Sequence, residues 1–246
     1  MSHSFQTQRI ADRHEITPEL IWSKYSVLQH LIFWLMALGA WYGLHWLGSN
    51  TERFTLPVWR YVARVRFYFY TGDFQQMALL GALFGLVILG LILLVDVLIA
   101  KMSNQPPAHQ ILRNYYLLPR TNTQGFVALI VGINAGVFEE IFFRGGIFTL
   151  LFFLTNSVVT SIVITSAVFA LLHAPMQGWL STVWIFIIGI LLNIIVLETG
   201  NYYAAMFCHI TVNIGNLFLV PALFEEELEE LLLQDMGFQT TPTEHP

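Results

Sequence analysis

Long apolar runs separated by short polar segments dominate this chain of 246 residues. An α-helix needs about 20 mostly apolar residues to cross a bilayer, and seven runs are candidates for such spans. They cover residues 27–47, 77–100, 125–138, 141–154, 158–173, 179–197 and 202–224. The pattern predicts an all-α fold, a polytopic membrane helix bundle of about seven transmembrane helices, although six or eight also fit it. The third to fifth runs are short or nearly contiguous, so one re-entrant or tilted pair is also compatible with them.

The composition supports the membrane interpretation. Hydrophobic residues make up 56% of the chain and charged residues only 11%, and the mean hydropathy is +0.62. Soluble globular domains typically contain about 25% charged residues. We therefore expect a lipid bilayer as the main partner of the protein, and no nucleic acid.

The distribution of charge divides the chain into three regions. All 11 lysines and arginines lie at or before Arg144, and the first 26 residues lack the apolar segment of a cleavable signal peptide. We predict that residues 1–120 comprise an amino-terminal tail, two membrane helices and a basic, aromatic, amphipathic loop around 59–70. A helix bundle over 121–224 and an acidic tail over 225–246 follow. The acidic residues of this last region include Glu225, Glu226, Glu227, Glu229, Glu230 and Asp235.

Small residues within the spans are expected to serve packing. Gly132 and Gly136 form a GxxxG pattern, which lets membrane helices approach closely. The single Cys208 excludes an internal disulfide bond and is expected to pack as a small apolar residue.

Three charged residues interrupt the apolar stretch between positions 126 and 154, namely Glu139, Glu140 and Arg144. A charge at the centre of a membrane helix costs about 2.5 to 3.5 kcal/mol on insertion scales, so each needs a partner or a purpose. Glu140 and Arg144 are four residues apart on one helix face, which is the spacing of a stabilising ion pair. Glu139 is rotated by about 100° from Glu140. Its carboxylate therefore needs a partner from another helix.

Polar residues in two later spans can supply that partner. His173 ends the fifth run, and His209 with Asn213 forms a pair one helical turn apart in the seventh run. A single histidine in a helix is more often a hydrogen-bonded structural residue. Two histidines, an asparagine and an unpaired glutamate on separate membrane helices favour instead a site in the interior of the bundle.

These residue types are suited to hydrolysis by an activated water molecule. A carboxylate such as that of Glu139 can take a proton from water, while a histidine orients the water or protonates the leaving group. An imidazole N–H and an amide N–H one turn apart, as at His209 and Asn213, can both donate to a developing oxyanion. Phe169, one turn before His173, is expected to pack against the site without reacting.

Three short motifs resemble those of a known family. They are Glu139-Glu140-x-x-x-Arg144-Gly145, Phe169-x-x-x-His173 and His209-x-x-x-Asn213. In this order they resemble the motifs of the Abi/CPBP family, which includes the type II CAAX prenyl endopeptidases and bacteriocin-processing proteins. The resemblance implies a glutamic intramembrane endopeptidase in which Glu139 and His173 activate water and His209 and Asn213 form the oxyanion site. It also implies that Glu140, Arg144 and Phe169 shape the site, and that 121–224 is a CAAX protease-like catalytic bundle.

The resemblance leaves the substrate open. We expect a membrane-associated protein or peptide, of which a prenylated CAAX protein is one candidate, and no metal or other cofactor. The expected location is a cell membrane, in which the chain is a multi-pass integral protein. Because no eukaryotic targeting signal is recognisable, a bacterial cytoplasmic membrane fits the chain.

Two alternatives use the same residues differently. In a zinc-dependent membrane metalloprotease, Glu139 or Glu140 would join His173 and His209 in a His2Glu site; Asn213 is a poor zinc ligand, and Arg144 would oppose a divalent cation. In a non-enzymatic scaffold, immunity protein or transporter, the charged residues would form a polar network or a proton path. A serine protease does not fit, because no serine of the spans has a glycine-flanked nucleophile setting. An aspartyl protease needs two intramembrane aspartates, and Asp96 alone qualifies.

Overall fold

The computed structural model describes residues 74–104, 118–119 and 121–227, together with positions 28, 31, 32, 34–36, 38, 39 and 42. The described part of the chain is helical and contains no β-strand. The fold class predicted from the apolar runs, an all-α membrane helix bundle, is confirmed. Most of the first run, the basic loop around 59–70, most of the connection before position 121 and the tail beyond 227 lie outside the described residues.

Six α-helices follow one another in the described residues from position 74 onward, and two of them continue into π-helical turns. They are α1 (Phe74–Met102), α2 (Asn122–Glu140), α3 (Phe148–Thr155), α4 (Val158–Thr199), α5 (Tyr202–Ile214) and α6 (Val220–Leu223). The π-helical turns are Ile141–Ile147, between α2 and α3, and Gly215–Leu219, between α5 and α6. Side-chain caps begin three of the helices: Thr121 caps α2, Ser157 caps α4 and Asn201 caps α5.

Four helical stretches among the described residues are long and apolar enough to cross a membrane. They are Phe74–Met102, Asn122–Phe152, Ser181–Thr199 and Tyr202–Leu223, and Val158–Ala174 is a shorter apolar helix. The second of these stretches joins the predicted runs 125–138 and 141–154 into one continuous helix. The chain therefore does not break where these two runs meet. Instead the hydrogen bonding changes to a π-turn, in which the N–H of Phe148 donates to Phe143 O, five residues earlier. Such turns are frequent at functional sites.

The helical residues of α4 do not form one straight rod. Asn193 Nδ2 lies 3.2 Å from Ser166 Oγ, whereas 27 residues of straight α-helix would separate them by about 40 Å. The chain therefore reverses between its first limb, Val158–Ala174, and its second limb, Ser181–Thr199. Pro175 lies in this reversal, and proline lacks the N–H that a helix interior requires. The two limbs correspond to the separately predicted runs 158–173 and 179–197.

Helix α5 lies at the centre of the bundle, in contact with α1, α2 and α4. Glycines on both of its main neighbours face its backbone. On α1, a Cβ atom added at Gly81 would collide with Ala204 O, and one at Gly85 would lie 2.7 Å from Cys208 O. On α2, a Cβ atom at Gly136 would lie 2.9 Å from Ile210 N. The close packing predicted from the GxxxG pattern is thus present at Gly136, and α5 is held between two glycine faces.

Candidate active site

Four helical elements bring six of the seven predicted site residues together. The carboxyl-terminal end of α2 supplies Glu139 and Glu140, and the π-turn after it supplies Arg144. The first limb of α4 supplies Phe169 and His173, and α5 supplies His209. These side chains form an inner, buried layer and an outer layer that is partly accessible.

The inner layer is built around one oxygen of Glu140. Arg144 NH1 donates to Glu140 Oε1 at 2.9 Å, so the predicted ion pair one turn apart is present. His209 Nδ1 lies 2.8 Å from the same oxygen. The exposed fraction of the side chain is 0% for Glu140, 1% for Arg144 and 7% for His209. A charge this deeply buried requires partners, and the Arg144 guanidinium and the His209 imidazole provide them at Oε1 of Glu140.

Arg144 is fixed from two further directions. Its NH2 group donates to Gly189 O in the second limb of α4, at 3.2 Å. Its guanidinium carbon lies 4.8 Å from the centroid of the Phe169 ring, which is within the range of a cation–π interaction. The side chain therefore connects the π-turn to both limbs of α4.

The outer layer consists of Glu139 and His173, whose side chains are 15% and 27% exposed. Glu139 Oε2 lies 4.0 Å from His173 Nε2 and 3.9 Å from His209 Nε2. This oxygen is buried and has no hydrogen-bond partner among the described residues. Glu139 was expected to need a partner from another helix; it lies between histidines of two other helices, at distances that exceed a direct hydrogen bond.

The Nδ1 contacts determine which ring nitrogen of each histidine points toward Glu139. His173 Nδ1 bonds to Phe169 O at 2.8 Å, and His209 Nδ1 bonds to Glu140 Oε1. A carbonyl oxygen and a carboxylate oxygen can only accept, so Nδ1 carries the proton in both rings. In the neutral state of either histidine, Nε2 is therefore an acceptor, and both Nε2 atoms point toward the Glu139 carboxylate.

Phe169 forms the aromatic wall of the site. Its ring is 2% exposed and lies 4.8 Å from the His173 ring and 5.8 Å from the His209 ring. Phe143 packs edge-on against it, with centroids 4.9 Å apart. These contacts agree with the expectation that Phe169 packs against the site.

Asn213 stands apart from the other six residues. It follows His209 by one turn of α5, and its Nδ2 donates to Gly132 O on α2 at 3.3 Å. Gly132 precedes Glu139 by seven residues, or about 10 Å of helix. One of the two amide N–H groups of Asn213 thus serves the α2–α5 contact, and a primary amide has a second one.

Three contributors were not predicted from the sequence. The bond between Glu140 and His209 joins residues that are 69 positions apart in the chain, and no local spacing indicates it. Gly189 contributes only its backbone carbonyl, which accepts from Arg144. A glycine in an apolar run indicates close helix packing at most, and it does not indicate a hydrogen-bond acceptor. Trp34 stacks on Phe138, next to Glu139, with ring centroids 4.2 Å apart.

The donor set does not fit a bound zinc ion as it is placed. Glu139 Oε2, His173 Nε2 and His209 Nε2 are zinc ligand types, but tetrahedral ligands at about 2.1 Å from zinc are about 3.4 Å apart. The distances of 4.0 Å and 3.9 Å are wider than that. In the part of the chain that the structure describes, no group of three or more histidine, cysteine, aspartate or glutamate side chains is arranged to hold a metal ion.

Comparison with models of known protein families gives a match to part of the chain. Residues 121–215 match the family model described as type II CAAX prenyl endopeptidase Rce1-like. No curated protein and no solved structure matches the chain significantly. The matched segment is less than half of the chain, and it includes all three motifs that resemble the Abi/CPBP family. The family is a protease family, which suggests an intramembrane endopeptidase. The predicted resemblance is confirmed for residues 121–215, which are similar to the Rce1-like type II CAAX prenyl endopeptidases.

Proposed function

We propose that the protein is an intramembrane endopeptidase that hydrolyses a peptide bond of a membrane-associated protein or peptide with a water molecule activated by Glu139 and His173. One observation supports this most strongly. The Glu139 side chain is partly accessible, but its Oε2 atom is buried, has no hydrogen-bond partner among the described residues and lies about equally far from the Nε2 atoms of His173 and His209. The Glu139 carboxylate and the Nε2 atom of neutral His173 are both hydrogen-bond acceptors, and one water molecule can donate to both.

The spacing of Glu139 and His173 suits one bridging water. Two acceptors 4.0 Å apart can each receive a hydrogen bond of about 2.8 Å from the same water, at an acceptor–water–acceptor angle of about 90°. Both O–H bonds are then oriented, and a lone pair of the water oxygen is left for attack. Preorganisation of this kind lowers the entropic part of the barrier.

The proton balance requires one group that both accepts and returns a proton. As the water oxygen attacks the carbonyl carbon of the scissile bond, Glu139 takes its proton and becomes a carboxylic acid. When the carbon–nitrogen bond breaks, the proton passes from Glu139 to the leaving nitrogen, directly or through His173. The products are a carboxylic acid and an amine, and the Glu139 carboxylate is regenerated.

His209 and Asn213 are the proposed oxyanion donors. Because Nδ1 of His209 bonds to Glu140, its Nε2 can donate only when the ring is protonated on both nitrogens. The Glu140 carboxylate at 2.8 Å balances that positive charge. Asn213 would contribute its second amide N–H, with the first one oriented by Gly132 O.

The zinc-dependent route uses the same atoms and is the rival within proteases. The two Nδ1 contacts also leave each Nε2 free as a metal ligand, although the ligand distances would have to contract. Zinc content of the purified protein and the effect of a chelator decide between the routes. Stoichiometric zinc, with cleavage lost on chelation and restored by zinc, would replace the water mechanism proposed above.

The deciding experiment is cleavage of paired fluorogenic peptides, one farnesylated and one unmodified, by the purified protein in detergent micelles. We expect Glu139→Gln to lower kcat by about 100- to 10,000-fold, the usual contribution of a general base. Thr165→Val is the matched control for a substitution within the bundle. If folded Glu139→Gln cleaves as fast as the unaltered protein, the proposed mechanism is wrong. Loss of peptide binding without any cleavage activity would favour a scaffold.

The proposal includes a location and a substrate class. We place the protein in the cytoplasmic membrane of a bacterium, and fractionation of cells that express the tagged chain tests this. The farnesylated peptide tests whether a prenyl group is required. Faster cleavage of the unmodified peptide would assign the substrate to membrane peptides without a lipid modification.

A further inference from the structure

The shared oxygen of Glu140 determines how His209 is presented to the reacting groups. Glu140 Oε1 accepts from Arg144 NH1 at 2.9 Å and from His209 Nδ1 at 2.8 Å. With Nδ1 committed in this way, Nε2 of His209 is the atom that lies 3.9 Å from Glu139 Oε2. A ring rotated by 180° about its Cβ–Cγ bond would lose the bond to Glu140.

Glu140 is itself prevented from moving. Its side chain is fully buried, and its partner Arg144 is held by Gly189 O and by the Phe169 ring. A rotation of Glu140 would leave the Arg144 guanidinium buried without its counter-ion, which is strongly unfavourable. A continuous chain of contacts thus runs from the second limb of α4 through Arg144 and Glu140 to His209.

The other histidine of the site is oriented by a different device. His173 Nδ1 bonds to Phe169 O, a backbone carbonyl of its own helix one turn earlier. This contact forms within the first limb of α4 and needs no charged residue. His173 and His209 are therefore a matched pair, in which Glu140 orients only the second.

We infer that Glu140 is a positioning residue, which fixes the ring orientation and the protonated nitrogen of His209, and that Arg144 holds Glu140 in place for this purpose. The inference rests on the proposed function in that His209 Nε2 faces the scissile bond. The Glu140–Arg144 ion pair therefore does more than neutralise two buried charges, because it keeps the proton of His209 on Nδ1. The ¹⁵N NMR signals of histidine report that effect directly.

The test uses ¹⁵N-histidine-labelled full-length protein in micelles, with the His173 and His209 signals assigned from His173→Gln and His209→Gln. In the unaltered protein and in Glu140→Gln, we expect the proton on Nδ1 of His209, because a glutamine oxygen still accepts. In the double variant Glu140→Leu with Arg144→Met, which removes the acceptor without leaving an unpaired charge, we expect His209 to lose that signature. His173 should be unchanged in every variant. An unchanged His209 signal in the folded double variant would overturn the inference.

Kinetics supply the second measurement. With the peptides above, we expect kcat to fall about 10- to 100-fold in Glu140→Gln with KM nearly unchanged, because glutamine keeps the acceptor for His209 Nδ1 but removes the negative charge that balances the protonated ring. If the double variant does not fold, Glu140→Gln decides by its kcat, because its His209 signal is expected to be unaltered; an unaltered kcat would refute the role of Glu140. The NMR signature of His209 is measured without substrate and does not depend on catalysis. If Glu139→Gln is still active, only the proposed water mechanism is disproved. An inactive Glu139→Gln with unresponsive His209 signals would disprove only the role of Glu140.

Discussion

Replacing Gly136 by alanine should move α5, which carries His209, away from α2, which carries Glu140, without changing any polar residue. A Cβ atom at this position would lie 2.9 Å from Ile210 N and 3.1 Å from Ile210 Cα. Both are backbone atoms, so no side-chain rotation relieves the contact. Helix α5 must move away from α2.

The size of the movement follows from these distances. Ordinary van der Waals contact begins at 3.4 Å, so α5 must shift by about 0.5 Å. His209 is adjacent to Ile210 and moves with it. Its Nδ1 then lies about 3.3 Å from Glu140 Oε1, outside the usual hydrogen-bond range. Since a misplacement of 1 Å costs about 100-fold in rate, we expect kcat to fall by about 10- to 100-fold.

Gly132→Ala is the matched control, one turn earlier on the same helix face. Its Cβ atom would meet Asn213 Cβ and Leu217 Cδ1 at 3.7 Å each, which is ordinary contact. We expect kcat within about twofold of the unaltered protein and a free energy of unfolding raised by about 0.5 to 1 kcal/mol, because alanine favours helix. The measurement is peptide cleavage and thermal unfolding of both variants in the same detergent. Equal activity of folded Gly136→Ala and Gly132→Ala would refute the reasoning.

Three further substitutions test other contacts of the bundle. Gly81→Ala should lower the thermal unfolding temperature, since its Cβ atom would collide with Ala204 O; an unchanged temperature would mean that α1 and α5 are less closely packed. Asn193→Ala should lower the free energy of unfolding by about 1 kcal/mol, because it removes bonds to Ser166 Oγ and Gly189 O, and no loss in reversible unfolding would contradict this. Thr165→Val should leave kcat unchanged and stability unchanged or higher, because the buried Thr165 hydroxyl makes no hydrogen bond to any residue that the structure describes; a drop in either would indicate an unrecognised partner.

Features set by local spacing were accessible from the sequence. Apolar runs gave the helical membrane class, and the interval of four residues gave the Glu140–Arg144 pair, because both depend on helix periodicity alone. The GxxxG spacing likewise indicated the face of α2 that packs closely. The reversal between the limbs of α4 agrees with the gap left between two predicted runs.

Features set by tertiary contact were not accessible. The bond between His209 and Glu140 and the one between Arg144 and Gly189 O join residues that are far apart in the chain. The continuity of α2 with α3 was hidden because charged residues separate two apolar runs, although Glu140 and Arg144 balance each other's charge within this helix. The catalytic roles of Glu139, His173, His209 and Asn213 stay predictions until variants are measured.

The glycine contact between α1 and α5 means that the packing around the site extends beyond the segment that matches the protease family. The segment recognised as a protease family begins at residue 121, yet the helix that presents His209 rests on Gly81 and Gly85, well before it. A chimera that transfers only residues 121–215 onto another amino-terminal half would therefore inherit the polar residues without the surface against which their helix is seated. We expect such grafts to succeed only when the recipient offers glycines at the corresponding positions, because in this chain the helix that carries His209 needs that backbone clearance in addition to the motifs.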